Sequence, residues 1–209
     1  MKRNLLKLSF VLFGLLFVLA ACGTEEKDSS TNDTANSGAG ETAQTEDKTF
    51  KIGTTQIVEH PSLDAAKDGF KQAIKDAGID AEYVDKSANN DNSNNMTIAQ
   101  QLVSENVDLI FANSTPSAQA AKSATADIPI IFTSVTDAVG AELIDTMAAP
   151  GANVTGTIDL HPDTMPKSVA FLKELGAKNV GMIYNAGEQN SVAQIAAVKE
   201  IASKEGVTI

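Results

Sequence analysis

The chain has 209 residues, with 27 acidic against 16 basic side chains and a formal charge of −11. That excess of carboxylates is repelled by phosphate backbones and excludes nucleic acid as a partner. The length allows one ordinary domain, or one domain with part of a second.

Residues 1–21 are not domain material. Lys2, Arg3 and Lys7 lead into LSFVLFGLLFVLAA, an apolar run of 14 residues, short of the roughly 20 that a membrane-spanning helix requires. A basic start, a short apolar centre and small residues at its end predict a secretory signal peptide over 1–21. Its last residues, Leu19-Ala20-Ala21-Cys22, followed by Gly23, resemble the bacterial lipobox, whose cysteine is acylated and becomes the new N-terminus. Cys22 is the only cysteine of the chain. It therefore has no internal disulfide partner, and a free thiol is a liability in an exported protein. Lipidation of Cys22, palmitate included, is expected, since several buried acyl tails make a stable anchor. Ordinary cleavage with Cys22 incidental is the plainer alternative. Loss of the leader's three cations would take the charge from −11 to −14.

Residues 22–48 contain no large apolar side chain, so they bury too little surface to offset ordering. They read as a flexible acidic tether. From residue 49 the pattern alternates. TFKIGTT is a strand, and LDAAKDGFKQAIKDAG a helix with Leu63, Ala66, Phe70, Ala73, Ile74 and Ala77 at three- and four-residue spacings, ended by Gly78. IDAEYVD is a strand and MTIAQQLVSEN a helix. VDLIFA is a continuous apolar strand, buried on both faces. PSAQAAKSATA is a helix with Pro116 in its first turn. IPIIFTSV is a strand, VGAELIDTM a fourth helix, and PGANVTGTID a turn and short strand. Then follow the helix DTMPKSVAFLKELG, with Val169, Leu172 and Leu175 on one side, the strand NVGMIY, the helix SVAQIAAVKEIAS and a last strand, VTI.

Such alternation predicts an α/β fold with parallel sheets and helices on both faces. Residues 49–158 make a first Rossmann-like lobe, and 159–209 begin a second that stops unfinished. Ligands of such sheets sit at strand carboxyl ends, beside helix N-termini. There the chain places Thr54, Thr55 and Gln56, with Glu59 and His60 after them; Asn113, Ser114 and Thr115; and Thr133, Ser134, Thr136 and Asp137. YNAGEQNS (184–191) occupies the same kind of position in the second lobe. Turn and cap roles compete for several of these, Asp137, Ser114, Thr115, Asn190 and Ser191 above all.

No glycine loop for phosphate follows a strand, no G-x-S-x-G elbow is present, and His60 and His161 have no metal-ligand spacing. No metal, cofactor or enzymatic activity is expected. The one arginine, Arg3, lies in the leader, and there is no tryptophan. Phosphate or polycarboxylate clamps use the arginine fork, so the inventory suits a small zwitterion instead. Helix N–H groups and hydroxyls would take its carboxylate, and Asp137 or Glu188 its ammonium.

KIGTTQIVEHPSLDAAKDGFK, DLIFANSTPSAQAA, IPIIFTSVTDAVGAELI, PGANVTGTID and VGMIYNAGEQNSVAQI, in that order after a lipobox, closely resemble the tryptophan/tyrosine-type substrate-binding lipoproteins of ABC importers. The resemblance runs from about residue 50 to the end. It implies a periplasmic-binding-protein-like fold of two lobes closing on a ligand about a hinge. Members are about half as long again, so the second lobe is read as truncated. Where the family often has proline after the aspartate of VTD, this chain has Ala138. Carried over by position, Thr55, Gln56, Ser114, Thr115, Pro116, Ser117, Thr136 and Asp137 form the first wall. Glu188, Asn190 and Ser191 form the second. The resemblance further implies an aromatic or other hydrophobic amino-acid ligand, an ABC permease and its ATPase as partners, a monomer, and a lipid anchor at the outer face of the cell membrane. A receptor of the same fold feeding a membrane sensor is the nearest alternative. An exported enzyme using His60 and Glu59 is a more distant one.

Overall fold

The computed structural model describes residues 48–209. The leader, Cys22 and all of the tether but Lys48 lie outside the described residues.

Five parallel strands form one sheet: β1 (Phe50–Gln56), β2 (Ala81–Ser87), β3 (Leu109–Asn113), β4 (Ile130–Val135) and β5 (Val154–Ile158), in the order β2-β1-β3-β4-β5. Three helices connect the first four: α1 (Pro61–Asp76), α2 (Asn94–Ser104) and α3 (Thr115–Ala124). Ile110 and Ala112 of β3 face α2 and α3, joining Ile98, Leu102, Ala118, Ala121, Ile130 and Phe132 in the main core. Phe111, between them in sequence, points to the opposite face, where Phe70 of α1 stacks on it at 4.2 Å. Both faces of β3 are thus covered, as its unbroken apolar run predicts.

Local chemistry accounts for the helix ends. His60 caps α1, its Nδ1 accepting from Ser62 N, and Gly78 follows the end in the left-handed region that glycine tolerates. At Gly53 a Cβ would stand 2.9 Å from Leu102 Cδ2, so glycine is what lets α2 lie close on β1.

The expected fourth helix does not form. Residues 136–145 make a compact turn in which Asp137 Oδ1 accepts Gly140 N (2.8 Å) and Glu142 takes φ 57°. Local bonds from the aspartate compete with a helical ladder, while Gln119 and Lys122 of α3 hold the Ala141 and Glu142 carbonyls from outside. Ala138, Ala141, Leu143 and Ile144 are nonetheless buried, so the apolar spacing reports burial without a helix.

The last part contains α4 (Thr164–Glu174) and α5 (Gln189–Glu205), packed around Val169, Val198, Ala202 and Val207. Leu175, expected on the buried side of α4, is 66% exposed. NVGMIY and VTI meet only in one parallel bridge, Asn179 with Thr208, and neither forms a strand. Ile183 is fully exposed. A run of β-prone residues becomes a strand only where a neighbour satisfies its N–H and C=O groups, and here the main-chain partners across the pair reach only Lys178 to Val180.

Candidate functional site

The sheet order reverses at β1, which has β2 on one side and β3 on the other. At such a switch point the connections diverge and leave a crevice beyond the strand ends. Register places Gln56 beside Ser87 and Asn113, and Asn113 beside Thr133. Thr55 and Gln56 are each only 2% exposed. Gln56 Nε2 donates to Val58 O (3.0 Å) and to Asp64 Oδ1 (2.9 Å). That bond from Gln56 is the largest influence holding the Asp64 carboxyl below the usual aspartate range, ahead of a partial opposing effect of desolvation and the help of Lys67. Both amide hydrogens of Gln56 are thereby used. Its Oε1 is buried without a partner, and so is Thr55 Oγ1.

The β3 carboxyl end runs straight into α3. Ser114 caps the helix, its Oγ accepting Ser117 N at 3.2 Å, and Pro116 stands in the first turn where no N–H is needed. Ser114 Oγ donates to Ser117 Oγ (2.9 Å), which donates to Asn95 Oδ1 (2.9 Å) on α2. The hydroxyl protons of Ser114 and Ser117 are therefore committed inside the protein. Thr115, 2% exposed, differs from them: its Oγ1 is buried and unpartnered. Next to it, Asn113 bridges Leu63 O (2.7 Å) and Ser134 Oγ (2.8 Å), with Ser134 at φ 54° beside an irregularity in the β4 register. Strained backbone of this kind gathers at functional sites.

Of the β4-end residues, Asp137 is engaged by its own turn, whereas Thr136 is buried and its Oγ1 accepts from Gln194 Nε2 of α5 at 3.1 Å. The loop before α5 also meets the turn between β2 and α2, through a long bond from Asn92 Nδ2 to Gly187 O at 3.5 Å. Glu188 occupies the N-cap of α5 without capping it. Its two oxygens instead accept from Asn185 Nδ2 (2.8 Å) and Asn190 Nδ2 (3.4 Å). Asn190 Oδ1 and Gln189 Oε1 are buried and unpartnered, like Thr55 Oγ1, Gln56 Oε1 and Thr115 Oγ1. Ser191 is half-buried in the same turn.

The predicted residues lie at or just beyond the ends of β1, β3 and β4 or in the first turns of α3 and α5, and Ser114, Ser117 and Asp137 are occupied by internal bonds. Sequence reasoning missed Gln189, Gln194, Asn92 and Asn95. The signal for the last two was the tract SANNDNSNN at the end of β2, a strand end left unread. Among the described residues no group of histidine, cysteine and carboxylate side chains has the arrangement of a metal site.

Residues 51–209 match the family described as ABC transporter substrate binding protein. A tyrosine-binding protein of Clostridioides difficile is 41% identical over 97% of this chain, and the chain spans 58% of that relative's length. Among solved structures, a conserved domain protein of Vibrio cholerae superposes with a TM-score of 0.73 at 41% identity, covering 77% of this chain and 56% of the other. A Streptococcus protein in complex with L-Trp gives 0.71 at 34% identity over the same shares. A ligand-free, open substrate binding protein with adhesive properties from Clostridium difficile gives 0.58 at 45%, over 76% and 55%.

Proposed function

The chain belongs to the ABC transporter substrate binding protein family, and from that premise we propose that it captures an aromatic amino acid between two walls of the crevice. One observation carries this reading. Thr55 Oγ1, Gln56 Oε1 and Thr115 Oγ1, joined by Gln189 Oε1 and Asn190 Oδ1 at the N-terminus of α5, are buried polar atoms without partners. Leaving such atoms unsatisfied costs about 1–3 kcal/mol each, a cost that a polar ligand removes. The hydroxyls and the N-terminus of α3 suit a carboxylate. The amide oxygens accept only, and suit an ammonium, with Asp137 or Glu188 as counter-charge. The relatives named for tyrosine and solved with L-Trp support an aromatic side chain.

Bound ligand touches both walls and so favours their closed arrangement. The loaded protein then hands its cargo to a membrane permease driven by an ATPase; no bond is made or broken. In this reading residues 49–158 form one lobe and 159–209 belong to the second. Cys22 carries the lipid anchor that holds a monomer, on its acidic tether, at the outer face of the cell membrane. Intact-mass measurement of the protein from membranes shows acyl mass on Cys22; an unmodified chain starting elsewhere rejects the anchor.

Calorimetric titration tests the ligand assignment. L-Tyrosine or L-tryptophan binds, while tyramine (no carboxylate) and 3-(4-hydroxyphenyl)propionate (no ammonium) bind at least about tenfold more weakly, each lacking a charge-assisted contact. Asp137→Asn preserves the turn acceptor and weakens L-tyrosine binding if Asp137 faces the ammonium. Equal affinity for all three compounds would overturn the zwitterion reading.

A further inference from the structure

We propose that Asn92 and Asn95 are positioning residues that transmit the hydrogen-bond direction of the α3 cap to the 184–191 loop and so set how that loop seats over the crevice. The site itself is the one assigned above, and the inference rests on that assignment.

Four links run one way. Ser114 Oγ donates to Ser117 Oγ (2.9 Å), Ser117 Oγ to Asn95 Oδ1 (2.9 Å), Asn95 Nδ2 to Asn92 Oδ1 (2.9 Å), and Asn92 Nδ2 to Gly187 O (3.5 Å). A hydroxyl can reverse its donation, but an amide cannot: its oxygen only accepts and its nitrogen only donates. Asn95 therefore fixes the direction of everything before it and after it. With Asn95 Oδ1 accepting, Ser117 must give it its proton and take one from Ser114. Asn95 Nδ2 donates to the Asn92 carbonyl O (3.2 Å) as well as to Asn92 Oδ1, and the shorter bond to Oδ1 turns the Asn92 amide so that its Nδ2 points to the Gly187 carbonyl. Ser117 and Asn95 are 1% and 3% exposed, so the first links lie where water cannot substitute and aligned bonds polarise one another.

Two consequences bear on the crevice. The chain uses up the hydroxyl protons of Ser114 and Ser117, leaving Thr115 as the hydroxyl of the first α3 turn free for a ligand. The segment carrying Asn92 and Asn95 is itself tied to the end of β1, by Ala88 N to Gln56 O (2.9 Å) and Asn90 N to Ile57 O (2.8 Å). One loop thus braces Gln56, orients the α3 cap and contacts the loop that carries Glu188, Gln189 and Asn190.

Amide hydrogen exchange on the ligand-free protein tests this without any ligand. Asn92→Ala removes an exposed side chain; Asn95→Asp keeps the acceptor for Ser117 but sets a carboxylate against Asn92 Oδ1. Each is expected to speed exchange of the amides at 187–188 by roughly three- to tenfold, the effect of losing one hydrogen bond, with β1, β3 and β4 unchanged. In the double variant the Asn92→Ala effect disappears, because the link is already broken. If Asn95→Asp does not fold, Asn95→Ala removes the same link to Asn92 and serves as the second background. Unchanged exchange at 187–188, or effects that simply add, would overturn the proposal. Failure of the wild type to bind L-tyrosine or L-tryptophan would strike the binding assignment instead, while the exchange result still decides the coupling.

Discussion

Thr115 is the residue at which binding and stability pull apart. Its hydroxyl is buried without a partner, directly after the β3 end and within the first turn of α3. In the ligand-free chain that group has lost water and gained nothing, at about 1–3 kcal/mol. Thr115→Val keeps the branched shape and removes the unsatisfied atom. The thermal midpoint of the ligand-free variant therefore rises, by a few degrees, while its affinity for L-tyrosine falls about tenfold, the loss of one hydrogen bond to a charged group. Calorimetry and a melting curve on the same sample check both signs. A midpoint that falls would mean the hydroxyl has an internal partner after all. The same logic explains what could be read from the sequence here. Thr55, Gln56 and Thr115 stand out because strand ends in a parallel sheet have no need of so many polar groups. Asn95 lies in the equally polar tract SANNDNSNN, but its bond to Ser117 depends on α2 lying against α3, a tertiary fact that the tract itself does not encode.

At the level of elements, β3 and β4 were legible as apolar runs bounded by polar turns and are buried accordingly, while β2 and β5, at the sheet edges, are short β-prone stretches between turn signals and bury little. Three expected elements, VGAELIDTM, NVGMIY and VTI, do not form. VGAELIDTM has helical spacing, yet the Asp137 side chain and the left-handed Glu142 turn it into a loop. NVGMIY and VTI read as strands, yet pairing decides strands, and they share a single bridge. The edge strand β5 shows how narrow the margin for pairing is. A Cβ at Gly156 would run into the Phe132 carbonyl and ring of β4, so the register of Phe132 with Gly156 requires glycine. Gly156→Ala forces β4 and β5 apart or displaces the fully buried Phe132, at about 1–3 kcal/mol for overpacking. Denaturant unfolding should show that loss, with accelerated exchange confined to β4 and β5. A variant as stable as the wild type would show that the two strands can separate at no cost.

The molecule as a whole carries far more negative than positive charge, and its response to acid follows from where the carboxylates are held. Asp85 is pushed up by partial burial, but Lys71 Nζ at 2.6 Å and Thr54 Oγ1 at 2.7 Å more than reverse this and leave it below the usual aspartate range. Asp108 is lowered first by Lys48 and then by the Lys51 N–H, Asp64 first by Gln56. A carboxyl whose folded value is depressed binds its proton more readily in the unfolded chain. Its contribution is therefore complete above the ordinary value of 3.8 and disappears as the pH falls through the lower folded value. Asp85 ties β2 to α1 and, through Thr54, to β1, and Asp108 anchors the start of β3 to the residues around the start of β1. The acid limb thus loosens the outer strand and helix of the sheet before the core around Ile110 and Phe132. The thermal midpoint, followed from pH 6 to pH 3, is expected to fall most steeply below pH 4. Asp85→Asn lowers the midpoint at pH 6 and flattens the limb, because one of the groups that titrates is gone. High salt leaves the limb largely in place, since Thr54 and backbone hydrogen bonds are screened less than exposed ion pairs. A variant with the same slope as the wild type would show that Asp85 has no part in acid unfolding and that its bonds to Lys71 and Thr54 are made equally well in the unfolded chain.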